Sequence, residues 1–164
     1  MSKVSRERPI MGLDLAHGSP QSKTHKPHYA IVILNSKGRK IYETIDAPLR
    51  RVIRLIWEYR PQIIALDNVF ELASTEHMLA KVFSLLPDDV EVIQSTLIGG
   101  ESLDIREAAR RVGIKVPYTK LNPLQTAEVA ALIALKGYGT KIKAIEQKTK
   151  IIVAKGRSLG SGGS

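Results

Sequence analysis

Two aspartates close two apolar runs of this chain. Asp14 follows the apolar run of "RPIMGLDLAHG" and Asp67 that of "QIIALDN". An ionised carboxylate at the end of a buried strand costs free energy unless positive charge compensates it. Two of them brought close repel each other unless a cation screens them. Mg²⁺ or Mn²⁺ suits the task, because it takes oxygen ligands and keeps waters or phosphate oxygens in its shell. A pair of such ions about 3.5–4 Å apart activates a water and stabilises the leaving oxygen of a phosphodiester. The plainer alternative for each residue is a strand-end or helix-capping Asp. Glu71, one helical turn beyond Asp67, is either an extra ligand or a first-turn acid favoured by the helix dipole. Glu101 and Asp104 are open in the same way, with capping the preferred reading of Asp104.

The elements that must position these groups follow from periodicity and turn chemistry. "IMGLDL", "HYAIVILN" and "IYETI" read as strands, the last two joined by a hairpin turn at "SKGRK". "APLRRVIRLIWEY" is an amphipathic helix stopped by Pro61. "QIIALD" is a buried strand, "VFELASTEHMLAKVFSLL" a helix up to Pro87, "VEVIQS" a strand, and "SLDIREAARRVGI" a helix ended by Gly113. Asn122, Pro123 and Gln125 form a helix start for "LQTAEVAALIALKGY". "TKIKAIEQKTKIIVA" is expected to continue as a separate basic helix, and "GRSLGSGGS" is linker-like. The order β-β-β-α-β-α-β-α-α implies an α/β fold, a mixed sheet flanked by helices. Its first strand is central, with the fourth beside it in parallel through a right-handed crossover. Asp14 and Asp67 then face one crevice at the strand ends. The expected division is a flexible segment over 1–8, one domain over 9–153 and a flexible linker or tail over 154–164.

At 164 residues, 43% hydrophobic and 25% charged, the chain fits one globular domain. It contains no Cys, which rules out disulfides and Cys-based zinc sites and fits a cytoplasmic protein. No run approaches the roughly 20 apolar residues that span a bilayer. The net charge is +9, with both ends basic and the middle mildly acidic. Phosphate-bearing partners fit such a field; a basic surface that only aids solubility fits it equally. His17, Lys23, His25, Lys26 and His28 lie in or beside the first loop and are candidate phosphate contacts. Lys141, Lys143, Lys148 and Lys150 form a second basic group, or the solvated face of a helix. A zinc reading of the three histidines needs a fourth ligand and a tetrahedral frame, so phosphate contact is preferred. An aromatic content of 5% argues against a base-stacking platform.

"GLDLAHGSP…HYAIVILN", "IIALDNVFEL" and "AALIALKGY" resemble the RuvC/YqgF branch of the RNase H-like nucleases over about residues 9–138. The likeness is greatest to an archaeal group in which such a domain begins a longer chain. The resemblance implies a five-stranded sheet of order 3-2-1-4-5 and metal-dependent cleavage of structured or branched DNA or RNA. It implies Mg²⁺ or Mn²⁺ as cofactor and nucleic acid as partner, with further domains after this one; a homodimer is a further option. The family's first-strand acid maps onto Asp14 and its fourth-strand acid onto Asp67. Its last acids belong near the start of the final helix, where this chain has Val129, Ala130 and Ala131. Glu128 is the nearest acid and the expected third catalytic ligand. The competing expectation is a non-catalytic nucleic-acid-binding module with a degenerate metal site. "GLDLAHG" also resembles the phosphate loop of actin-like sugar kinases, whose second lobe this length cannot supply.

Overall fold

The computed structural model describes residues 8–147 and 150–159, with side chains up to Lys143. The expected flexible segment over 1–7, Lys148 and the end of the tail at 160–164 lie outside the described residues. Arg8, expected to belong to that flexible segment, is anchored. It donates to the carbonyls of Arg60 and Pro61 and pairs with Asp89 at 3.2 Å.

Continuous apolar runs give β1 (Ile10–His17) and β2 (His28–Leu34), buried over most of their length, and an alternating run gives β3 (Lys40–Pro48); the three form an antiparallel meander. β4 (Ile63–Leu66) and β5 (Glu91–Gln94) follow as short, buried parallel strands. The main sheet runs β3-β2-β1-β4-β5-β8-β9, so the expected RNase H-like order 3-2-1-4-5 is present with two strands added. Those strands, β8 (Gly139–Gln147) and β9 (Lys150–Leu159), form a hairpin where a basic helix was expected. The correction has a physical cause. Thr140 and Ile142 are buried while Lys141 and Lys143 face outward, a period of two that suits the free edge of β5. That edge would otherwise present unpaired backbone groups. β9 reaches Leu159, past the expected boundary at residue 153. A small hairpin, β6 (Leu97–Ile98) with β7 (Glu101–Ser102), follows β5.

Helices cover both faces. On one face α1 (Leu49–Tyr59) and α2 (Glu76–Ser84) bury Val52, Ile56, Leu79 and Val82 against Met11, Leu13, Tyr29 and Ile31. The helix expected over Val69–Leu86 is broken. A single tight turn spans Val69–Glu71, and α2 starts only after Thr75, whose hydroxyl accepts from Met78 N–H. Thr75 therefore offers the backbone a cap rather than a continuous helix. The other face carries α3 (Ile105–Arg111) and α4 (Pro123–Leu135). Asn122 and Gln125 make the reciprocal capping box that the sequence announces, with Pro123 in the first turn. Ala127 and Ala131 pack on Ile10, Val32 and Leu34. The contact is close: a Cβ on Gly12 would overlap the carbonyl oxygen of Ala127. Small residues on both sides thus fix where α4 crosses β1. Among the described residues no helix is long and apolar enough to cross a membrane.

Candidate metal centre

β1 and β4 pair in parallel, with Leu13 beside Leu66, so the residues that follow, Asp14 and Asp67, stand level on adjacent strands. β4 stops at Leu66, and the chain turns over the strand end. Asn68 caps the tight turn by accepting from Phe70 N–H, and Glu71 N–H donates to the Asn68 carbonyl. The turn brings the Glu71 side chain back over β1, where its Oε1 accepts from Leu15 N–H at 3.3 Å. That amide lies two residues beyond Leu13, the β1 position level with the end of β4, so the carboxylate takes up a group the β1–β4 ladder leaves free. The Tyr29 hydroxyl, from the opposite neighbour strand, donates to the Glu71 carbonyl at 2.6 Å and holds the turn in place.

Asp14, Asp67 and Glu71 each offer a carboxylate oxygen, and these oxygens lie within 4.8 Å of one another. Burial and the neighbouring Asp67 push the Asp14 carboxyl up to about 7. Burial, Asp14 and Asp67 push Glu71 up to about 8, against the pull of the Leu15 amide. Asp67 is raised by burial and by Asp104, with the Thr96 hydroxyl acting in the opposite sense. The charges acting on Asp14 and Glu71 are thus all carboxylates. The donor set is all oxygen, partly buried and uncompensated, which fits a hard divalent cation such as Mg²⁺ or Mn²⁺. Glu71, left open between ligand and first-turn acid in the sequence, is brought into this group.

Glu128 is not part of it. The α4 register places Ala127 over Gly12, and the next residue is rotated by about 100° toward β2 and β3. Its carboxylate meets Lys40 Nζ at 3.4 Å. Lys40 pairs with Leu34, which is opposite Ile10. That level is four residues from Asp14, or about 13 Å along the strand. Asp104 caps α3 by accepting from Arg106 N–H, as the sequence favoured, and Glu101 pairs with Arg111 at 2.8 Å.

The basic residues divide. Lys23, His25 and Lys26 are exposed in the 18–27 loop, which leaves the same end of β1 as Asp14. His25 Nδ1 lies 3.0 Å from the Thr24 hydroxyl. Lys141 is half-buried in an ion pair with Glu91 at 3.1 Å, and Lys143 is exposed beyond it. Lys141 pairs with Ile93 but turns its side chain back to Glu91 at the start of β5, and Lys143 follows in that direction, away from the strand ends that carry Asp14 and Asp67. His17 and His28 stack with ring centroids 4.9 Å apart, and His17 Nε2 meets Asp46 Oδ1 at 2.8 Å. Sequence reasoning missed Asp46, because strand pairing brings it here rather than proximity in the chain.

No family model matches the chain, and no curated protein does. Among solved structures it is similar to the Thermus thermophilus RuvC structure. That likeness has 15% identity, covers 81% of this chain and 99% of the other, and has a TM-score of 0.45.

Proposed function

We propose that this domain is a divalent-metal-dependent nuclease that hydrolyses phosphodiesters of nucleic acid, with Asp14, Asp67 and Glu71 as the ligands. One observation carries the reading: three partly buried carboxylates converge to within 4.8 Å with only one another for charged neighbours at Asp14 and Glu71. Bound there, Mg²⁺ or Mn²⁺ would supply a nucleophilic water and charge neutralisation at the phosphate. Asp14 and Asp67 hold their carboxylates on rigid strand ends, and Glu71 is oriented by the Leu15 amide and Tyr29. Lys23 and Lys26 stand at the same end of the sheet as the acids and supply positive charge for the substrate backbone. The test is cleavage of duplex, flap, four-way junction and RNA substrates with Mn²⁺, compared with Asp14→Asn. Cleavage by the wild type alone supports the proposal.

A second reading has its own observation: Glu128 points away, so the final helix brings no acid to the group. A nucleic-acid-binding module with a reduced metal site follows from that. Binding of the same substrates without cleavage of any would establish it in place of the nuclease.

A further inference from the structure

At the far end of β1, beyond the acidic centre, a different donor set is assembled. His17 closes β1 and pairs directly with His28, the first residue of β2. His28 in turn pairs with Pro48 at the end of β3, and Asp46 lies two residues before it, where the β2–β3 ladder shifts register between Tyr29 and Ile31. The pairing depends on an irregularity. The ladder runs Leu15 to Tyr29 and then His17 to His28, skipping Ala16. Regular pairing would have set Ala16 opposite His28 and sent His17 to the other face; the bulge delivers the imidazole to the face that carries His28.

The three side chains offer one ligand atom each within 4.8 Å of one another. His17 Nε2 already touches Asp46 Oδ1 at 2.8 Å. His28 carries a second mark of a ligand. Its Nδ1 lies 3.1 Å from the carbonyl oxygen of Lys26. A carbonyl can only accept, so Nδ1 bears the proton and Nε2 keeps a free lone pair in the neutral ring. A backbone carbonyl on the distal nitrogen is the usual outer support of a metal-bound histidine. That carbonyl is itself held close by Gly18, where a Cβ would overlap it.

We propose that His17, His28 and Asp46 form a second metal site, for a borderline transition ion of the Zn²⁺ class, at the base of the 18–27 loop. Two imidazoles and one carboxylate suit such an ion and do not suit Mg²⁺, which prefers oxygen alone. Three protein ligands from adjacent strands leave a fourth position for water, since His17 and Asp46 are exposed. The set differs in chemistry from Asp14, Asp67 and Glu71 and shares no residue with it, so it does not depend on the nuclease reading. Bound metal would clip the three strand ends together where the loop leaves and returns to the sheet.

The experiment is calorimetric titration of the whole chain with Zn²⁺ in excess Mg²⁺, on wild type, His17→Gln, His28→Gln, Asp46→Asn and Asp14→Asn. The proposal expects one equivalent bound by the wild type and by Asp14→Asn. Each change at 17, 28 or 46 should weaken it by more than the roughly 10–100-fold that losing an outer-shell support costs. Imidazole NMR of the wild type keeps the test independent of variant folding. Zn²⁺ should shift the ring signals of His17 and His28 and leave those of His25 and His77 in place. Unmoved His17 and His28 signals, or Zn²⁺ binding that is lost in Asp14→Asn and kept in the histidine variants, would overturn the proposal.

Discussion

Replacing Asp14 with Asn in the metal-free protein should make it more stable at pH 8, not less. The Asp14 carboxyl rises from an ordinary 3.8 to about 7 on folding. A carboxyl raised in the folded state weakens folding above its unfolded value. The loss starts near pH 4, grows as pH rises, and is complete once the folded value of about 7 is passed. Three units at about 1.36 kcal/mol each set a ceiling near 4 kcal/mol. Asp14 is only half-buried, and solvent screening reduces this to roughly 1–2 kcal/mol. For a domain of this size each kcal/mol moves the melting point by about 2–4 °C. Thermal melts in EDTA should therefore place Asp14→Asn about 2–8 °C above wild type at pH 8, with the gap closing toward pH 4. Adding Mn²⁺ at pH 8 should raise the wild type by ligand linkage and the variant much less. A variant that melts below wild type in EDTA at pH 8 would show Asp14 to be a structural hydrogen-bonding group and refute the reasoning.

Other perturbations separate the parts of the site. Glu128→Gln should change stability by no more than about 0.5 kcal/mol and leave Mn²⁺ affinity unaltered, since its exposed pair with Lys40 is weak; a tenfold loss of affinity would return Glu128 to the centre. Gly12→Ala should destabilise the fold by about 1–3 kcal/mol or more in chemical denaturation, because the new methyl meets backbone rather than a flexible side chain. Tyr29→Phe should cost about 1 kcal/mol by the same measurement and also weaken Mn²⁺ binding, by freeing the turn that carries Glu71. Neutralising Lys23 and Lys26 together should lower the log–log salt slope of duplex binding by roughly 0.9 for each phosphate that is no longer neutralised. An unchanged slope would remove the loop from the interface.

Much of this geometry is legible in the chain because it is local or periodic. The continuous apolar runs before Asp14 and Asp67 announce buried strands, and Asn122-Pro123-x-Gln125 announces the start of α4 with its cap. The order of the central strands follows from chain connectivity. Glu71 is visible in the sequence only as an alternative, because a turn acid and a ligand look alike until the turn folds back on Leu15. The C-terminal hairpin is hidden by composition. Lys, Ala, Glu and Gln are good helix formers, and the free edge of β5 overrides that preference. Asp46 is hidden more deeply. Its place beside His17 depends on two strand registers and on a shift in each, none of which leaves a spacing to read.

The Gly12–Ala127 contact acts as a stop. α4 cannot slide along β1 without driving a carbonyl into the strand or opening a gap beneath its alanines. Because the helix runs against β1, the level of Asp14 falls about one helical turn upstream of Ala127, among Asn122, Pro123 and Leu124. Those residues make the cap of the helix and carry no charge. An acid moved along α4 one residue at a time would therefore pass in and out of range in steps of about 100°, not gradually. Adding a fourth ligand from this helix is a question of the first turn alone, and there it competes with the capping box for the same few positions.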